Sequence, residues 1–101
     1  LFITDSGTEH VFRMSVNNDG TLGVSEIFAS FTEKGLDGLT LSPQGQLWVC
    51  TKDGIRILNL KGNVLGLLRT PGKPTSIAFA PDGGLAVTTR DACLVARGLA
   101  N

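Results

Sequence analysis

The sequence predicts an all-β protein, a β-propeller segment of about two and a half four-stranded antiparallel blades spread over residues 1–101. Three observations predict it. The chain repeats itself at an offset of 38 residues, from Ser42 to Ala80. Apolar runs of strand length alternate with tight-turn signals. Thirteen glycines and four prolines leave no stretch long enough for crossover helices. A period near 40 residues belongs to propeller blades and solenoids, and short strands in meander favour the former.

The elements follow in order. Leu1-Phe2-Ile3-Thr4-Asp5 resembles Leu47–Thr51, which sets a strand at 1–4. Val11, Phe12, Met14 and Val16 mark a strand over 10–16, and Asn18-Asp19-Gly20 turns the chain into the next, 23–30. Ser42-Pro43-Gln44-Gly45-Gln46-Leu47-Trp48-Val49-Cys50-Thr51-Lys52-Asp53 aligns without a gap on Ala80-Pro81-Asp82-Gly83-Gly84-Leu85-Ala86-Val87-Thr88-Thr89-Arg90-Asp91. Each copy is a strand, a turn and a second strand, giving 38–42 with 46–51 and 75–80 with 84–89. Ile55, Ile57 and Leu58 mark 55–60, Lys61-Gly62-Asn63 turns into 63–69, and a last strand covers 93–97. Turn glycines after Asp or Asn supply the positive φ that tight hairpins require.

Grouped by the repeat, these ten strands give an incomplete blade over 1–31, a complete one over 37–70 and another incomplete one over 74–101. The leading blade lacks its first strand and the trailing blade its last. Propellers close with about four to eight blades, so the rest must come from the same protein or from identical copies. Open faces at either end are expected to expose strands such as Leu85-Ala86-Val87 and Phe2-Ile3.

Composition narrows the partners. Nine Lys and Arg balance nine Asp and Glu, for a formal net charge of zero. That removes the basic footprint expected of a nucleic-acid or acidic-membrane binder. No window approaches the ~18 apolar residues of a membrane span, and no apolar signal core follows a basic start. Cys50 and Cys93 are too few for a disulfide framework and lack metal-ligand spacing; two small apolar residues in strands are expected. A reducing, cytoplasmic setting follows as the expectation.

The segment Gly35-Leu36-Asp37-Gly38-Leu39-Thr40-Leu41-Ser42-Pro43-Gln44-Gly45-Gln46-Leu47-Trp48-Val49-Cys50 resembles a signature of the gluconolactonase, senescence marker protein (regucalcin) and luciferin-regenerating enzyme family. Gly54-Ile55-Arg56-Ile57-Leu58-Asn59-Leu60-Lys61-Gly62, then Pro71 and Pro74-Thr75-Ser76-Ile77-Ala78-Phe79, are similar to its later motifs. Leu1–Ser6 and Asp19-Gly20-Thr21-Leu22 match earlier ones. The resemblance covers nearly the whole chain and corresponds to the C-terminal part of a six-bladed propeller. Squid-type diisopropyl fluorophosphatase and strictosidine-synthase-like propellers share much of the pattern.

The resemblance implies a metal-dependent lactone hydrolase. In it a divalent cation, calcium first and zinc, manganese or magnesium as alternatives, sits at the channel mouth and polarises the carbonyl of a lactone or ester. Of the family's Glu, Asn and Asp ligands only the Asp maps here, as Asp37. Leu36 stands where the family has proline. On its own chemistry, a carboxylate ahead of an innermost strand is a hard oxygen ligand for Ca²⁺ or Mg²⁺; beside Gly38 it is equally a turn aspartate. The next repeat has Thr75 at that position. No residue can be named as general base. Thr75 and Ser76 are the candidates for lining the channel mouth, and Lys34 and Gly35 fall in the loop before Asp37.

Other residues read more plainly. Asp5, Asp53 and Asp91 recur at hairpin turns and suit turn chemistry. His10, the sole histidine, suits a surface position, and no serine lies in a G-x-S-x-G context. Trp48 is expected in the core. The alternative to an enzyme is a non-catalytic propeller segment acting as a binding or assembly module.

Overall fold

The computed structural model describes residues 1–32, 35–90 and 92–96. Ten strands run in chain order: β1 (Phe2–Asp5), β2 (His10–Arg13), β3 (Glu26–Ser30), β4 (Leu39–Leu41), β5 (Leu47–Thr51), β6 (Gly54–Leu58), β7 (Val64–Leu68), β8 (Pro74–Phe79), β9 (Leu85–Thr89) and β10 (Cys93–Ala96). They form three antiparallel sheets, ordered β1-β2-β3, β4-β5-β6-β7 and β10-β9-β8. This is the all-β propeller segment the sequence predicts. Lys34, Asp91 and the expected strand end at 97 lie outside the described residues.

One turn design is used four times. In each, a glycine amide donates back three residues, as from Gly45 to the Ser42 carbonyl at 2.9 Å, and the earlier amide donates forward four, as from Ser42 to Gln46 at 2.8 Å. The same pair of bonds closes Asn17–Thr21, Asn59–Asn63 and Ala80–Gly84. The glycines Gly20, Gly45, Gly62 and Gly83 have φ between 82° and 86°, left-handed geometry that side chains with a Cβ resist. Polar side chains add support: Asn59 Oδ1 accepts from the amides of Lys61 and Asn63, and Asp82 Oδ1 from Gly84.

The expected strand 10–16 stops at Arg13, and 23–30 starts only at Glu26. Between them the hairpin continues loosely, with Val16 bridging Leu22 and the Gly23 amide donating to Ser15. A register shift at Val11/Phe12 has already broken the ladder, and the exposed polar residues beyond Val16 have no core to hold them flat.

The core lies in two layers on either side of the four-stranded sheet. Leu47 and Val49 of β5 join Val11, Ala29, Leu36 and Leu58 in one cluster. Trp48 and Cys50, the alternate residues of the same strand, join Ile55, Ile77, Leu85 and Val87 in the other. Period-two alternation sends successive side chains to opposite faces, and here both faces are covered. Every residue of β5 is therefore buried. Trp48 meets Phe79 edge-on at 4.9 Å.

The end sheets depart from expectation in part: Phe2 is half-buried, packed against the first core cluster. Leu85 and Val87 are not exposed: at 1% and 4% they face the four-stranded sheet, with half-buried Ala86 turned the other way. Ile3 does stand open at 40%, and Cys93 is exposed while Cys50 is buried. Cys93, on β10 at the outer edge of its sheet, pairs with Thr88 of β9, and among the described residues no further strand covers it.

Candidate functional site

The segment from Gly35 to Gly38 leads into β4, the inner strand of the four-stranded sheet. Leu36, where the sequence lacks a helpful proline, is 4% exposed in the first core cluster. Burial of its side chain replaces the missing φ lock. The Asp37–Gly38 backbone is then tied to all three sheets. The Asp37 amide donates to the Cys50 carbonyl of β5 at 3.1 Å, and the Cys50 amide donates to the Gly38 carbonyl at 2.9 Å. Two residues thus oppose one, the arrangement of a β-bulge, which re-aims a side chain at a strand end. The Gly38 amide donates to the Thr75 carbonyl of β8 at 2.9 Å. From β1, the Thr4 hydroxyl donates to the Asp37 carbonyl at 2.8 Å.

A clamped backbone thus carries a free-standing carboxylate. Asp37 is 48% exposed, and among the described residues its nearest cation is the Lys73 ammonium, 3.9 Å from Oδ2. That separation is long beside the ~2.7–2.9 Å of a tight charge-assisted bond. Gly35, at φ 79°, makes room for the lysine: a Cβ there would lie 2.7 Å from Lys73 Cε. Cys50 is no nucleophile. Burial first, and then the negative charge of Asp37, push its thiol up to about 12, with Lys73 acting the other way.

The structure brings Asp37, Thr75 and Ser76 together. Besides accepting from Gly38, Thr75 turns its hydroxyl to the Thr88 carbonyl and hydroxyl, both at 3.1 Å. Ser76 Cα would lie 3.0 Å from a Cβ on Gly38. Beside them is a cavity of about 400 Å³ lined by Lys73, Thr75 and Arg90. A separate groove of about 320 Å³ is lined by Gln46, Trp48, Ile57, Leu65, Gly66 and Leu68, without an ionisable group.

Sequence reasoning missed Thr4, Lys73 and Arg90. Arg90 had a signal, its equivalence to Lys52 in the repeat; Thr4 had none, since its partner lies 33 residues away. The residues set aside stay aside. Asp5 Oδ1 accepts from the Gly7 amide at 2.9 Å, as a turn aspartate does. Asp53 sits in the turn between β5 and β6. His10 is half-buried, not fully on the surface, with a ring nitrogen 3.0 Å from Ser30 Oγ.

Among the described residues no group of three or more His, Cys, Asp or Glu side chains converges. The chemistry here fits one corner of a hard-cation site: a solvent-open carboxylate on a rigid backbone.

A match to the model of the SMP-30/Gluconolactonase/LRE-like region extends over residues 1–91. The chain belongs to the SMP-30/gluconolactonase/LRE-like family. Its fold is that of solved members. A gluconolactonase from Xanthomonas campestris superposes with TM-score 0.84 at 23% identity, covering 93% of this chain and 32% of that one. A luciferin-regenerating enzyme gives 0.77 at 25%, covering 87% and 33%. Regucalcin from Agrobacterium tumefaciens, described as a calcium-binding protein, gives 0.75 at 24%, covering 88% and 34%. This SMP-30/gluconolactonase/LRE-like chain therefore spans about a third of the length of the solved structures it matches. No curated protein matches the sequence closely enough to count as a relative.

Proposed function

We propose that the chain is part of a divalent-cation-dependent lactone hydrolase, with Asp37 supplying one ligand of the cation at the channel mouth. The observation that carries this is the contrast at Asp37: a half-exposed carboxylate on a backbone held by three sheets. A turn aspartate would spend its oxygens on nearby amides, as Asp5, Asp19 and Asp82 do. Family membership supports the lactonase reading, and the calcium-binding description of the Agrobacterium regucalcin supports calcium.

When bound, the cation would polarise the lactone carbonyl and lower the pKa of a coordinated water. The tied backbone at Asp37 would keep its carboxylate close to the cation. The exposed Lys73 ammonium is free to swing away as a cation enters. Thr75 and Ser76 line the approach. The general base and the other ligands belong to blades outside this chain, from the same protein or from identical copies, in a cytoplasmic setting.

The test is calcium titration by calorimetry together with lactone hydrolysis, on the intact protein and on Asp37→Ala and Asp37→Asn. Both variants are expected to lose cation binding and turnover. Full activity in either would show Asp37 to be a turn residue. The second reading, a binding or assembly module that kept the fold without the chemistry, is favoured by the lack of a three-ligand cluster among the described residues. Wild-type protein that binds neither cation nor lactone would establish it.

A further inference from the structure

We propose that the cavity lined by Lys73, Thr75 and Arg90 binds an oxyanion, a phosphate ester or carboxylate carried by a small molecule. That this group belongs to the substrate rests on the hydrolase reading above; that the cavity takes an oxyanion does not.

The β8–β9 register creates the site. Pro74 pairs with Thr89, and the residues just beyond that last pair, Lys73 and Arg90, line the same cavity. Two like charges gathered at the ends of neighbouring strands repel each other. Nothing described offsets them fully: Asp37 stands 3.9 Å from Lys73, and among the described residues Arg90 has no ion pair. Instead both line a cavity of about 400 Å³, with the half-buried Thr75 as its third described wall. That volume is in the range of small-molecule sites, ~300–1,000 Å³.

The chemistry matches an oxyanion. A guanidinium offers a planar fork of donors, an ammonium adds a point charge, and both together suit phosphate or carboxylate. The single Thr75 O–H is already given to Thr88 on the adjacent strand, so Thr75 forms a wall of the cavity and Lys73 and Arg90 supply the donors. Its position is set by the carbonyl bond to Gly38. The anion would thus lie beside the Asp37 carboxylate, so a ligand carrying it would present its remaining groups at the channel mouth.

The intact protein is titrated calorimetrically with inorganic phosphate, 6-phosphogluconate and gluconate, without added divalent cation. Phosphate compounds are expected to bind, more weakly as salt rises. Lys73→Gln and Arg90→Gln should each weaken binding about tenfold or more, the scale of one charge-assisted bond. Both side chains are exposed, so the variants should fold. Lys61→Gln, in the exposed turn between β6 and β7, should bind like wild type. Asp37→Ala should bind as well or better, because it removes a negative charge; loss of binding there would show the anion to be held through a cation at Asp37 and overturn the proposal. Gluconate binding equal to that of 6-phosphogluconate would identify a carboxylate ligand, and much weaker gluconate binding a phosphate. Unchanged affinity in both Lys73→Gln and Arg90→Gln, or no binding of any anion to wild type, would also overturn it. Anion binding without lactone hydrolysis would sink the hydrolase reading and leave this one standing.

Discussion

Replacing Gly38 by alanine probes the point where the inner strands of neighbouring blades touch. A Cβ at residue 38 would lie 2.9 Å from the Thr75 carbonyl oxygen and 3.0 Å from Ser76 Cα. Both are backbone atoms, so no rotamer change relieves the contact, and β4 must move away from β8. Gly38 is not among the positive-φ glycines, so the cost is steric. Forcing a methyl into a packed junction costs ~1–3 kcal/mol. The same movement stretches the 2.9 Å bond from the Gly38 amide to Thr75, and a lost bond that leaves its groups unpaired costs a further ~1–3 kcal/mol. The two effects overlap, so a loss of about 2–4 kcal/mol is expected. Gly66→Ala is the control, because a Cβ there meets nothing within 4 Å. Urea unfolding of the intact protein reads both as midpoint shifts at constant slope. Gly38→Ala within about 0.5 kcal/mol of wild type, the spread of ordinary surface substitutions, would refute the junction. So would equal shifts for Gly38→Ala and Gly66→Ala.

Four further outcomes are expected. Trp48→Ala should cost ~3–5 kcal/mol in the same unfolding assay, since it empties a core site against Phe79; a loss below about 1.5 kcal/mol would exclude the indole from the core. Iodoacetamide at pH 8 should label Cys93 in the folded protein and Cys50 only after unfolding, a difference that mass spectrometry of the peptides will show. Because the folded Cys50 thiol is raised from 9.0 to about 12, the stability it contributes is whole below pH 9 and lost as pH climbs toward 12. The hydroxyl and then the amide of Thr21 lower the Asp19 carboxyl below its ordinary 3.8. The turn support they give is therefore present above pH 3.8 and disappears as pH falls below it; pH-dependent unfolding of wild type and Asp19→Ala should converge in acid, and a constant gap would refute the assignment.

Much of the fold was legible because it is written locally. The turn glycines at 20, 45, 62 and 83 need left-handed φ whatever surrounds them, and the apolar runs between them have strand periodicity. Asp37 and Thr75 were also visible, one through a family motif and one through the repeat. What escaped depends on register and on contacts between sheets. Lys73 and Arg90 become neighbours only through the Pro74–Thr89 pairing, next to a register shift at Pro74/Ser76. Thr4 reaches Asp37 across a blade boundary. The inward turn of Leu85 and Val87 was misjudged for a related reason: alternation shows that two faces exist, and only packing decides which is covered.

The anchoring of Asp37 has a consequence for when the site exists. Thr4, Cys50 and Thr75 each restrain the same short loop, and each comes from a different sheet. Detaching either outer sheet would release one tether and let the acid wander, long before the protein as a whole melted. The cation binding proposed at Asp37 should therefore fail earlier than bulk structure on gentle heating, and return only when all three pieces have docked.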